Sequence, residues 1–212
     1  MSDAVPAVVV VHGLWMPGFD TRLICRRLAA AGFAVHPFRY RSVRCGLEEN
    51  AARLHEFVSR LPNETVHFVG HSLGGVLILR MLARYGFARA GRVVCLGSPL
   101  AGSGTAHVLR RWPGGRVLLG KSVCELLDCG GLPPWSGRCE VGVIAGSLPV
   151  GAGRFVHVFD GPNDGTVAVA ETRLAGARDH VVLRVSHFAL LWSGATHRQM
   201  LLFLRDGRFE RG

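Results

Sequence analysis

Ser72 stands in Gly70-His71-Ser72-Leu73-Gly74, and G-x-S-x-G is the spacing of a serine presented at a sharp turn from strand to helix. The chemistry open to such a serine is attack on an acyl carbonyl. Five residues recur by chance, so the flanks carry the weight. Thr65 to Val69 is an apolar strand-like run, and Val76 to Tyr85 has the length and composition of a buried helix stopped by Gly86. Glycines on both sides of the serine let the chain reverse without clashes. The helix N-terminus behind Ser72 adds partial positive charge where an oxyanion would form. The plainer reading of the same residues is a glycine-rich turn with a solvated serine.

A serine nucleophile needs a base, and a neutral imidazole needs a carboxylate to fix its tautomer. Of ten histidines, His187 in Val185-Ser186-His187-Phe188 follows the last strand-like run, where the chain returns to the C-terminal edge of a sheet. His180 belongs to the opposite end of that strand, and His197 falls within the final helix. His71 adjoins Ser72, but neighbouring residues in this turn point apart. For the acid, Asp164 in Gly161-Pro162-Asn163-Asp164-Gly165-Thr166-Val167 lies between serine and histidine in the chain. Asn-Asp-Gly is also good turn chemistry, so a structural aspartate is the competing reading. Asp160 is the nearest rival, and Asp179 sits at the wrong end of the last strand. His12-Gly13-Leu14-Trp15 after the first strand suits an oxyanion loop, with the backbone amides of Leu14 and Leu73 as the expected donors.

Strand-like runs alternate with amphipathic segments, which predicts a parallel sheet covered by helices. The predicted strands are Ala4 to Val11, Phe33 to Phe38 (broken by Pro37), Thr65 to Val69, Arg92 to Leu96, Val141 to Ala145 and His180 to Val185. Predicted helices include one capped by Asp20 and stopped at Gly32, one over Leu47 to Leu61, the one after Ser72, and one over Ala195 to Leu204. Residues 102–138, rich in Gly, Pro and Trp, read as the least regular part, capping the sheet's C-terminal edge. Trp15, Leu100, Leu118, Leu119, Leu126, Leu127 and Trp135 are candidates for an acyl-binding surface.

Taken together, His12-Gly13, Gly70-His71-Ser72-Leu73-Gly74, Asn163-Asp164-Gly165-Thr166-Val167 and Ser186-His187 resemble the α/β-hydrolase superfamily in its small lipase and esterase branch. Leu96-Gly97-Ser98-Pro99 is similar to the Gly-Ser/Thr-Pro segment that lipase-like members carry after the nucleophile helix. The resemblance implies a single α/β domain over residues 1–212, with a mostly parallel sheet, helices on both faces and a minimal lid or none. It also implies a Ser72-Asp164-His187 triad that hydrolyses carboxylic esters without cofactor or metal. An acyltransferase or thioesterase on the same triad, or a lipid-binding pseudoenzyme, are the alternatives. The chain is short for the superfamily and starts without a secretion signal, unlike the secreted bacterial lipases.

Composition narrows the classes further. The chain has 212 residues, 49% of them hydrophobic and 19% charged, which excludes a long disordered protein. Mean hydropathy is +0.26, yet no apolar run approaches the ~20 residues of a membrane span. The net charge of +10 comes from 24 Arg and a single Lys, scattered apart from sets such as Arg39-Arg41-Arg44. That pattern reads as coding bias, with no nucleic-acid partner expected and at most loose contact with an anionic lipid surface. Six cysteines without paired C-x-x-C spacing argue against zinc, and the cytosolic setting expected here disfavours a bridge among Cys124, Cys129 and Cys139.

Overall fold

The structure, a computed structural model, describes residues 5–16, 20–151, 156 and 158–211. Six strands form one sheet: β1 (Ala7–Val11), β2 (Ala34–Phe38), β3 (Val66–His71), β4 (Ala90–Leu96), β5 (Val141–Gly146) and β6 (Asp179–Leu183). Their order is β2-β1-β3-β4-β5-β6, and every neighbouring pair is parallel. Six α-helices cross between or follow them: α1 (Arg22–Ala30), α2 (Leu47–Ser59), α3 (Leu73–Tyr85), α4 (Gly104–Arg110), α5 (Gly115–Asp128) and α6 (Gly194–Asp206).

A strand covered on both faces has no polar side, which is why β1 and β3 read as continuous apolar runs. Alternate residues divide between two cores. Val9, Val11, Phe68, Val93 and Val143 pack with α2, α3 and α5 on one face. Val8, Val10, Val69, Val94 and Ile144 pack with Ile24 and Leu28 of α1 and with Met200 and Phe203 of α6 on the other. The fold class is therefore as expected: an α/β sandwich with helices on both faces.

Three local expectations change. Pro37 does not break its strand, because β2 lies at the sheet's edge and pairs through one side only. Helix α1 starts after Thr21 rather than on an Asp20 cap. Most of all, residues 102–138 hold two helices. The Ser103 side chain accepts from the Ala106 amide to cap α4. Gly120, at φ 72°, kinks α5 where a side chain would strike the Val43 backbone. Ala4, the expected start of the first strand, lies outside the described residues.

Candidate active site

The turn at Ser72 is tight enough to dictate its neighbours. Ser72 adopts φ 53° and ψ −123°, and Ser72 and Trp15 (φ 59°) are the two non-glycine residues with positive φ among those described. Backbone outliers of this kind cost about 1–3 kcal/mol each and persist where surrounding structure enforces them. A Cβ on Gly70 would lie 2.4 Å from the Gly75 nitrogen, and one on Gly74 would lie 2.3 Å from the Val11 carbonyl oxygen. The G-x-S-x-G glycines are thus a packing requirement. Helix α3 begins on the next residue, so the Leu73 amide has no carbonyl one turn behind it within the helix.

The loop after β1 approaches this turn edge-on. A Cβ on Gly13 would come within 3.1 Å of Ser72 Cβ and 3.2 Å of His71 Nδ1, so only glycine admits the approach without displacing a neighbour. Behind the loop, the Tyr40 hydroxyl donates to the His12 carbonyl at 3.0 Å and the two rings stack at 4.5 Å. The Leu14 amide donates to no acceptor among the described residues. Leu14 and Leu73 both border the cavity that Ser72 faces.

Asp164 and His187 meet. His187 Nδ1 lies 2.7 Å from Asp164 Oδ2, with both side chains almost wholly buried, at 3% and 1% exposure. The other carboxylate oxygen accepts from the amides of Thr166 at 2.9 Å and Val167 at 2.8 Å. The His187 amide also donates to the Asp164 carbonyl at 2.9 Å. Asn163 and Gly165 do form the expected turn: the Gly165 amide donates to Asn163 Oδ1 at 3.0 Å, leaving the aspartate side chain free to face the imidazole. The rivals lie elsewhere. Asp160 is exposed, while Asp179 accepts from the Phe209 and His180 amides and from Arg211. His180 pairs with the Thr172 hydroxyl at 2.9 Å, and His197 lies 2.9 Å from the Leu191 carbonyl.

His71 was underrated by its sequence position. Its Nε2 sits 3.0 Å from the His187 carbonyl and the two rings are 4.7 Å apart, and His71 lines the same cavity as Ser72. A carbonyl only accepts, so Nε2 carries the proton. Burial, with the adjacent His187 second, pushes the His71 pKa down to about 3 and keeps it neutral. Gly97 of the Leu96-Gly97-Ser98-Pro99 segment has neighbours that no local motif discloses. At φ 56°, a Cβ there would stand 3.1 Å from Asp164 Oδ2 and 3.2 Å from His187 Nδ1. The Glu171 carboxylate accepts from the Ala168 amide at 2.8 Å and from the Gly104 amide, tying the Asp164 loop to α4. No local motif marks it.

Ser72 and His187 line one cavity of about 230 Å³, walled by Leu14, Met16, Leu109, Leu119, Val123, Leu126, Val167 and Phe188. Of the expected acyl-binding residues, Leu119 and Leu126 belong to this wall. Leu100 is fully buried in the core, Leu118 faces outward, and Trp135 packs beside Leu82 and Leu174 on another surface. Leu127 is core, and Trp15 stands outside the cavity.

Residues 8–199 match the Alpha/beta hydrolase family, and the chain belongs to it. No curated protein sequence matches the chain. Among solved structures it is similar to the mature lipase BlEst2 of Bacillus licheniformis, at 21% identity and TM-score 0.73 over 96% of this chain and 92% of that one. The metagenomic carboxyl esterase MGS0156 superposes at 23% identity and TM-score 0.67 over 90% and 66%. The RedJ thioesterase from Streptomyces coelicolor does so at 15% and 0.64 over 96% and 86%. At such identities the likeness is one of fold. Among the described residues, no helix is long and apolar enough to cross a membrane.

Proposed function

We propose that the protein is a serine hydrolase that cleaves carboxylic esters through an acyl-enzyme, with Ser72 as nucleophile, His187 as base and Asp164 as its carboxylate partner. The observation that carries this reading is the buried Asp164–His187 pair opening on the same apolar cavity as a serine held at positive φ. His187 takes the Ser72 proton as the oxygen attacks the acyl carbonyl, and Asp164 steadies the imidazolium. The carbonyl electron pair moves onto oxygen, where the Leu14 and Leu73 amides donate to it, each contributing roughly 3 kcal/mol to lowering the barrier. Collapse expels the alcohol, which takes the proton from His187. Water then repeats the sequence and frees the acid.

The cavity favours a modest acyl group. The acyl chain would lie against the apolar wall of a cavity of only about 230 Å³. The deciding experiment is labelling by a fluorophosphonate probe together with turnover of ester, thioester and amide panels. Labelling confined to Ser72, with esters turned over fastest, supports the reading. Labelling that survives Ser72→Ala removes it, and faster turnover of thioesters moves the substrate class to thioesterase chemistry.

A further inference from the structure

We propose that the corner made by Trp15 and residues 111–121 is a docking face for an anionic phospholipid surface. Four large apolar side chains stand out there: Trp15 is 58% exposed, Trp112 49%, Val117 77% and Leu118 49%. Single exposed apolar residues are ordinary, but several gathered at one place mark a contact surface. They are gathered by hydrogen bonds. Trp15 Nε1 donates to the Leu118 carbonyl at 2.7 Å, and the Gly115 amide donates to the Trp112 carbonyl at 2.9 Å, setting Trp112 at the turn that opens α5.

The charge of this corner has one sign. Residues 109–122 contain no acidic side chain. Arg110 is paired with Asp128 at 2.6 Å, but Arg111, Arg116 and Lys121, the chain's one lysine, are exposed and form no ion pair among the described residues. The Lys121 amide donates to the Val43 carbonyl at 2.9 Å, which brings exposed Arg44 to the same edge. Nearby acids are engaged elsewhere: Glu125 accepts from the Leu47 amide at 2.6 Å, and Glu48 pairs with Arg80. Tryptophan beside arginine and lysine matches the interfacial zone of a bilayer, where rings enter the headgroup layer and cations meet lipid phosphates.

Other occupants fit less well. A second copy docked face to face would oppose Arg111, Arg116 and Lys121 to themselves. A nucleic acid would use the cations but leave Val117 and Leu118 without partners. The inner sides of these same segments, through Leu14, Leu109 and Leu119, line the candidate catalytic cavity. Docking would therefore set the cavity mouth against the lipid layer, and this consequence, unlike the docking itself, rests on the hydrolase reading.

The test is co-sedimentation of the full chain carrying Ser72→Ala, which cannot consume the lipid. The vesicles are phosphatidylcholine alone or mixed with anionic phosphatidylglycerol, whose negative surface potential attracts basic residues. Binding should require the anionic lipid and weaken as salt rises. The triple change Arg111→Glu, Arg116→Glu and Lys121→Glu should reduce partitioning by about 100-fold, taking about fivefold per lost cation as a lower figure. Trp112→Ser with Val117→Ser should cost about tenfold. A control with the same charge change at the opposite end of the sheet, Arg84→Glu, Arg138→Glu and Arg208→Glu, should bind within a few-fold of the parent. Equal losses in the two triples, or equal binding to neutral vesicles, would overturn the proposal. So would stronger retention on DNA than on vesicles, or self-association that the corner changes abolish. With Ser72 restored, the corner triple should hydrolyse a soluble butyrate ester as the parent does. A parent inactive on every ester would defeat the hydrolase reading while leaving the vesicle result standing.

Discussion

Replacing Asp164 by Asn tests the assignment most sharply, because the surrounding hydrogen bonds dictate how the new amide must sit. Asp164 Oδ1 accepts from the Thr166 and Val167 amides, and Oδ2 faces His187 Nδ1 at 2.7 Å. An asparagine oxygen must stay on the two backbone donors, since the reverse would set an NH2 group against them. The NH2 group then faces His187 and requires a bare Nδ1. The imidazole proton moves to Nε2, and the ring loses the lone pair that would accept from Ser72. All three hydrogen bonds survive, so the thermal midpoint should shift little. The expected loss in kcat is about 10⁴-fold, as for a triad whose histidine is held in the wrong tautomer, which is about 5.5 kcal/mol of barrier. Steady-state hydrolysis of p-nitrophenyl butyrate measures it. Asp160→Asn should leave kcat unchanged, and Asp179→Asn should lower stability without a comparable loss of rate, since burial raises that carboxyl while the Phe209 amide and Arg211 outweigh it. Asp164→Asn retaining activity within tenfold of the parent would refute the tautomer argument. Complete loss in Asp160→Asn would move the acid to that residue.

Gly97→Ala should cut kcat by about 100-fold or more, because a methyl there displaces Leu190 and crowds both Asp164 and His187; an alanine variant with full activity and unchanged melting would show the contact to be slack. Acid stability has a definite sign. Burial holds His67 down to about 4 and His71 to about 3, both below 6.5. Their stabilising contribution is complete above pH 6.5 and is lost as pH falls through that value toward 4 and 3, at up to about 1.4 kcal/mol per group per pH unit. Urea midpoints between pH 7.5 and 4.5 should therefore fall, and His67→Gln with His71→Gln should flatten the slope; a rise on acidification would reverse the argument. For the acyl group, kcat/KM should climb by about fourfold per methylene while the chain stays within the cavity and then level, with about 0.8 kcal/mol for each CH2 buried. Val123→Phe should shorten that optimum, and a steady climb to palmitate esters would mean that the chain lies outside the cavity.

The strands and the Ser72 turn were legible because their causes are local. A doubly covered strand leaves a run such as Ala7–Val11 with no polar alternation, and the reversal at Ser72 requires glycines at fixed offsets. Residues 102–138 read as irregular because Gly120 interrupts the 3.6-residue period that α5 would otherwise display, and Gly114 and Gly115 crowd its start. The partners that stabilise this part are remote: Glu125 reaches the start of α2, and Glu171 reaches the start of α4. Neither contact leaves a mark in the neighbouring sequence.

Amino-acid order alone determined the alternation of strands and helices, the strained turn with its glycines, and the sequence Ser72, Asp164, His187 along the chain. Only tertiary structure decided which aspartate meets His187, since Asp160 and Asp164 lie in the same loop and differ in where the backbone aims them. It also decided that His71 reaches the His187 carbonyl across 116 positions, and that Leu119 lines the cavity while Leu118 faces outward. The physical reason is common to all three. Local conformation follows from sterics between adjacent residues, whereas the direction of a buried side chain follows from what the rest of the chain packs against it.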